Sequence, residues 1–161
     1  MNPNTLPYLI NGHMAIWRRA AQLQKDRVLA AEFGPDRQID SYLCVMAISQ
    51  TFRAALEMRR ITGDALLSDA CEQFQSDNPD ATDLRDILTH FDDYERGSGR
   101  LQKAGTMQGL NIFTESGDGR FWLRINQMKI ELGATSQNVD NLVYEAFDAG
   151  DRYSQRMSSR K

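Results

Sequence analysis

The stretch Arg85-Asp86-Ile87-Leu88-Thr89-His90 puts a guanidinium, a carboxylate and an imidazole within six consecutive positions, and His90 is one of only two histidines in the chain. An imidazole titrates near pH ~6.5, so His90 could take a proton from a hydroxyl or give one to a leaving oxygen. The planar fork of an arginine matches a phosphate and offsets charge that accumulates on it. Asp86 lies four residues before His90, the spacing at which two side chains on one helix face hydrogen-bond, and such a bond would fix the tautomer of the ring. At about 100° per residue Asp86, His90 and Asp93 fall together on the flank away from the apolar stripe, whereas Arg85 lies roughly 140° round the helix from His90. Within one chain the two diverge. A two-fold dimer in which two copies of this helix face each other would bring an arginine from one and a histidine from the other into a joint cleft.

The element that must carry these residues has a clear helical pattern. Leu84, Ile87, Leu88, Phe91 and Tyr94 recur at helical spacing, which predicts one helix that ends at Gly97-Ser98-Gly99. Upstream, Ile10, Met14, Trp17, Ala21 and Val28 predict a long first helix that ends near Phe33, before the breaker Gly34-Pro35. A second helix follows from Asp36, with Tyr42, Met46, Ser49, Phe52 and Leu56 as its inner face. Asp64 is placed to cap a third helix that carries Leu66, Leu67, Ala70, Cys71 and Phe74. After Gly99 the period changes to alternation. Leu110, Ile112 and Phe121, Leu123, Ile125 flank the turn 115–119 and predict a hairpin, to which Met128, Ile130 and Leu132 add a third strand. Val139, Leu142, Val143, Ala146 and Phe147 restore helical spacing, and the basic end at 152–161, with Arg152, Arg156, Arg160 and Lys161, is expected to fray into solvent. The fold class expected is mainly α: a single domain over 1–161, a four- to five-helix bundle with a small β-insertion at about 109–132 before the last helix.

The pattern of an arginine, a polar residue, three further residues and a histidine resembles the Rx4-6H motif of HEPN domains, here as Arg85-Asp86-Ile87-Leu88-Thr89-His90. That resemblance implies an all-helical, homodimeric, metal-independent endoribonuclease, a toxin or a defence or stress effector. The motifs of both protomers would line one RNA-cleaving groove. Arg85 would then hold the scissile phosphate, His90 would move the proton, Asp86 would orient the ring, and the product would carry a 2′,3′-cyclic phosphate. The partners it implies are an RNA substrate, a second copy of the chain, and an antitoxin or other regulatory protein. Thr89 could add a hydrogen bond to phosphate. In the subgroup paired with nucleotidyltransferase antitoxins a tyrosine stands two positions after the histidine, whereas this chain has Asp92 there and its nearest tyrosine is Tyr94. The segment 109–132 lies outside the family's minimal helical core.

Composition sets the frame. A chain of 161 residues, 41% hydrophobic and 25% charged, is the size of one folded domain. Its net charge of -3 does not attract polyanions, so contact with RNA requires a local basic patch. Fifteen of the nineteen basic residues are arginines, the side chain suited to phosphates. Cys44 and Cys71 lack metal or CxxC spacing and are expected as buried free thiols in a reducing, cytoplasmic setting, with no secretion signal or membrane span foreseen. Two histidines, two separated cysteines and scattered acids predict neither a metal site nor a cofactor, and Asp92, Asp93 and Glu95 are expected as a solvated face. Arg18, Arg19, Arg59 and Arg60 are expected in helix-surface ion pairs, and of Phe121 and Trp122 one should face the core. The rival reading is a non-catalytic helical dimer that acts as an interaction or regulatory protein, in which Arg85 and His90 are ordinary surface residues and Trp122 matters more. A small-molecule regulator would need a deep apolar pocket.

Overall fold

The computed structural model describes residues 5–32 and 34–159, and these are mainly helical with one small antiparallel sheet. Two long helices, α1 (Thr5–Ala30) and α2 (Pro35–Thr62), form the base of the bundle. Arg27 reaches Asp40, and the Cys44 thiol donates to the carbonyl of Ala21, so the two run antiparallel as the short connection between them requires. The helix α3 (Ala65–Asp77) follows Gly63, which takes the left-handed φ of 59° that ends α2. Asp64 caps α3 as its position suggested: its carboxylate accepts the Leu67 N–H at 3.2 Å. The last helix, α7 (Leu132–Ser158), lies along α1, α2 and α3 and closes the core.

The inner face predicted for α2 was too narrow. Cys44, Val45, Ala47, Ile48, Ala55 and Met58 are all wholly buried, and they surround most of the helix because α1, α4 (Ala81–Thr89) and α7 pack on it from different sides. A single apolar stripe suits a surface helix, not a central one. The C-terminal end also differs from the expectation of a frayed tail. Helix α7 continues through Ser158; Arg152 makes a bidentate pair with Asp64 at 2.8 Å, and Arg156 donates to the carbonyl of Thr62. Two basic side chains thereby satisfy the acidic cap and the free carbonyls where α2 gives way to α3. Phe33, Arg160 and Lys161 lie outside the described residues.

The sheet has the order β1-β2-β3, with β1 (Ile112–Gly117), β2 (Arg120–Ile125) and β3 (Met128–Glu131) antiparallel. Gly117 pairs with Arg120 across Asp118 and Gly119, both at positive φ, and Ile125 pairs with Met128 across a second two-residue turn, so both are tight hairpins. Leu132, expected as the end of the third strand, is the first residue of α7. Leu123, Ile125 and Ile130 are buried on the inner face, which Phe121 shares by parity, while Trp122 stands on the outer face opposite Glu115 and Glu131. Arg37 covers the Phe121 ring at 5.0 Å. No helix among the described residues is long and apolar enough to cross a membrane.

Candidate functional site

The motif is carried by α4 (Ala81–Thr89), where Leu84 and Ile87 are wholly buried and hold the helix against α2. Each contributes roughly 1.5–3 kcal/mol through its removal from water. The single helix expected across Leu84–Tyr94 does not form. It stops at His90, whose φ of −115° and ψ of 38° leave the helical region, and α5 (Phe91–Glu95) starts on a new axis. The His90 carbonyl accepts from the Asp93 and Tyr94 N–H groups at 3.0 and 3.2 Å. In consequence Tyr94 turns inward and is 1% exposed, while Phe91, expected on the apolar stripe, is 44% exposed. His90 therefore sits at a joint, not in the middle of a helix.

What bends the chain there is the segment that follows. A single turn, α6 (Arg100–Lys103), folds back so that Arg100 bonds to Asp83 and, at 3.2 Å, to Asp86. The Tyr94 phenol donates to the same Asp86 carboxylate at 3.2 Å and accepts the Leu101 N–H at 3.3 Å. Burial pushes that phenol above its ordinary pKa, which keeps its proton available for Asp86. Gln102 completes the closure: its amide donates to the Tyr94 carbonyl and accepts the Gly99 N–H, both at 2.9 Å. Asp86, Tyr94, Gly99, Arg100 and Gln102 form one unit.

This unit corrects the role expected for Asp86. Spacing alone placed it beside His90, but the Asp86 carboxylate bonds the guanidinium of Arg100, the stronger competitor, although Asp86 and His90 line one concavity. Asp86 positions Tyr94 and Arg100, and it does not bond the His90 ring. Thr89 likewise serves the backbone, with its hydroxyl donating to the Arg85 carbonyl at 2.8 Å. His90 lines an open concavity of about 440 Å³ with Asp86, Asp93, Ser98, Arg100 and Lys103.

Arg85 points elsewhere, as its helical angle required. It lines a separate cleft of about 240 Å³ between α2 and α4, with Arg53, Ser49 and Thr82. Sequence spacing correctly separated Arg85 from His90; nothing in it brought Arg85 to Arg53, because those residues are 32 positions apart and meet only through helix packing. Among the described residues neither Arg53 nor Arg85 has a side-chain hydrogen bond or ion pair, whereas Arg18 is held by Asp140 and Arg60 by Glu57. His13, near the start of α1, is exposed and lines a larger open groove of about 930 Å³ that adjoins this cleft through Arg53.

Comparison with known proteins returns no match: no family model fits the chain, and neither a curated protein nor a solved structure is significantly similar to it. The chemistry rests on the side chains themselves. Both thiols are buried, which pushes Cys44 to about 12 and Cys71 to about 11, so neither serves as a thiolate nucleophile near neutral pH. Among the described residues no three His, Cys, Asp or Glu side chains group as metal ligands. Of the acids after the motif, Asp92 pairs with Arg96 at 3.4 Å on the surface.

Proposed function

We propose that this chain is a HEPN-like, metal-independent endoribonuclease, in which Arg85 of one protomer holds the scissile phosphate and His90 of a second moves the proton. One observation carries this reading. Among the charged and titratable side chains of α4 and its two caps, Asp80 accepts the Lys129 N–H, Asp83 and Asp86 hold Arg100, and only Arg85 and His90 make no hydrogen bond or ion pair with the described residues. A fold that uses every other such group of this helix leaves the two of the motif free for a ligand. His90 would take the proton of a ribose 2′-hydroxyl or return one to the 5′-oxygen, and Arg85 would offset the charge on the phosphorane. The purified protein incubated with tRNA and mRNA in EDTA is expected to yield 2′,3′-cyclic phosphate ends, with His90→Ala slower by about 10²-fold or more. Intact RNA from pH 6 to 8 at high protein concentration would remove the enzyme reading.

A second reading, a self-associating interaction protein without catalysis, is favoured by α1. Beside its buried face this helix carries Leu6, Leu9, Ile16 and Leu23, which are 36%, 53%, 68% and 46% exposed. They share a run spaced alternately by three and four residues, which is the seam of a helix pair. Ile39 and Leu43 on the neighbouring helix α2 are likewise 54% and 47% exposed. The occupant this surface fits is a second copy of α1, run antiparallel. Arg18, Arg19, Lys25, Asp26 and Arg27 crowd the second half of α1, while residues 5–17 carry no charge apart from His13, so an antiparallel pair sets a basic half against an uncharged one. Ile16→Asp is expected to convert the dimer to monomer in sedimentation equilibrium without loss of helicity, and an unchanged dimer would dismiss the seam.

A further inference from the structure

The cleft between α2 and α4 is itself a binding site: we propose that it holds a phosphoryl group, gripped by Arg53 and Arg85 and completed by the Ser49 hydroxyl. The inference deepens the ribonuclease reading where it concerns Arg85, but it adds residues from α2 that no motif indicated and stands on separate observations.

The first observation is Ser49. It is only 7% exposed, and its hydroxyl has no hydrogen-bond partner. The other serine and threonine hydroxyls of α2 all bond back to the carbonyl four residues earlier: Ser41 to Arg37 at 2.8 Å, Thr51 to Ala47 at 3.0 Å and Thr62 to Met58 at 2.9 Å. Ser49 departs from that habit, although the Val45 carbonyl is the same distance along the helix. A buried hydroxyl without a partner has lost its bond to water and gained nothing in exchange, a deficit that a ligand oxygen would make good.

The second observation is charge. Arg53 on α2 and Arg85 on α4 reach one cleft from opposite walls, each without an acidic partner among the described residues, and no carboxylate lines the space. Two guanidiniums on one small cleft repel each other in the empty protein, and an anion relieves this. The Thr82 end of the cleft is also the first turn of α4, whose cap Asp80 leaves that turn uncapped because its carboxylate accepts the Lys129 N–H at 2.9 Å. Free N–H groups and the positive end of the helix dipole favour an anion there. Ile48 and Phe52 form an apolar floor, which strengthens the charge contacts by keeping water sparse. At about 240 Å³ the cleft takes a phosphate with little of what it is attached to.

The same chemistry is offered by an RNA backbone and by a free phosphomonoester, and the titration is designed to tell them apart. Inorganic phosphate, 5′-AMP and a short RNA are added in turn to the full chain and followed by 1H–15N NMR. Saturable shifts at Ser49 and at the side-chain N–H groups of Arg53 and Arg85 are expected with phosphate, weakened by about tenfold in Arg53→Gln and in Arg85→Gln. Ser49→Ala should weaken phosphate several-fold while leaving Tm unchanged or higher, an opposition that a purely structural serine would not produce. RNA that binds more tightly than 5′-AMP, with strong salt dependence, assigns the group to a polynucleotide; equal affinity assigns it to a phosphomonoester. Absence of saturable shifts, or shifts that persist in the Arg53→Gln/Arg85→Gln double variant, overturns the site. The outcome is separable from the ribonuclease reading: phosphate binding by wild-type protein that leaves RNA intact from pH 6 to 8 leaves the cleft standing and removes only the enzyme.

Discussion

Arg85→Ala and His90→Ala, each nearly inactive alone, are expected to recover about a quarter of wild-type RNA cleavage when their subunits are mixed and reassembled, as a two-fold joint site dictates. The arithmetic follows from geometry. Arg85 opens on the cleft between α2 and α4 and His90 on the concavity beside α6, so within one protomer the two face different hollows. If each site takes its arginine from one copy and its histidine from the other, a mixed dimer holds one intact pair and one site that lacks both groups. Random exchange makes half the dimers mixed, and half the sites in those are intact. The double variant Arg85→Ala/His90→Ala separates the possibilities further. In a mixed dimer with wild type it breaks both joint sites, so an excess of it should silence wild-type protein, whereas a site built within one protomer would leave each wild-type subunit working. Each single variant should lose about 10²- to 10⁴-fold, the range for loss of a proton-transfer group or of a charge-stabilising contact. Mixed dimers, verified by native mass spectrometry, that show no recovery would overturn the joint site.

The divergence of Arg85 and His90 was legible because it depends on local helical geometry alone, which a five-residue spacing determines. The same holds for the Asp64 cap, the first hairpin turn and the two buried cysteines, where one or two adjacent residue types decide the local structure. What escaped is what depends on distant partners. The break at His90 has no proline, glycine or capping side chain at that position to announce it; it is imposed by Arg100 and Tyr94, which draw on Asp86 from 14 and 8 positions away. Four-residue spacing offered His90 as the partner of Asp86, but a local option loses to a charge-assisted bond once the fold supplies one. Arg53 was invisible for the same reason, and the docked Arg152 was read as a fraying end because its acid lies 88 positions upstream. The outer run of α1 is a different case. Leu9, Ile16 and Leu23 were in plain view, spaced by seven, yet a single inner stripe accounted for the helix and the second went unread.

The largest stability effect is expected at Gly99, where Gly99→Ala should destabilise the fold by about 2–4 kcal/mol. The reason is space, not backbone freedom. The φ of −63° and ψ of 157° at Gly99 suit any residue, but a Cβ there would lie 2.5 Å from Cγ and Cε1 of Tyr94. The ring cannot step aside at low cost. Its hydroxyl is held between Asp86 and the Leu101 N–H, its carbonyl is bonded to Gln102, and the side chain is 1% exposed. A methyl at position 99 must therefore displace either the ring, with loss of the Asp86 contact, or the turn 97–103, with loss of Arg100 from Asp83 and Asp86. At about 2–4 °C per kcal/mol for a chain of this size, Tm should fall by roughly 5–15 °C in thermal denaturation. Two controls make the cause specific. Gly97→Ala, at a φ of 74° with open space around it, should lose about 1 kcal/mol through backbone strain alone. Tyr94→Phe in the Gly99→Ala background should restore only a small part, because phenylalanine frees the ring from its hydroxyl bonds but keeps the ring carbons that clash. A Gly99→Ala variant within about 0.5 kcal/mol of wild type would mean that the ring is not fixed over this glycine, and with it would go the account of why the helix turns at His90.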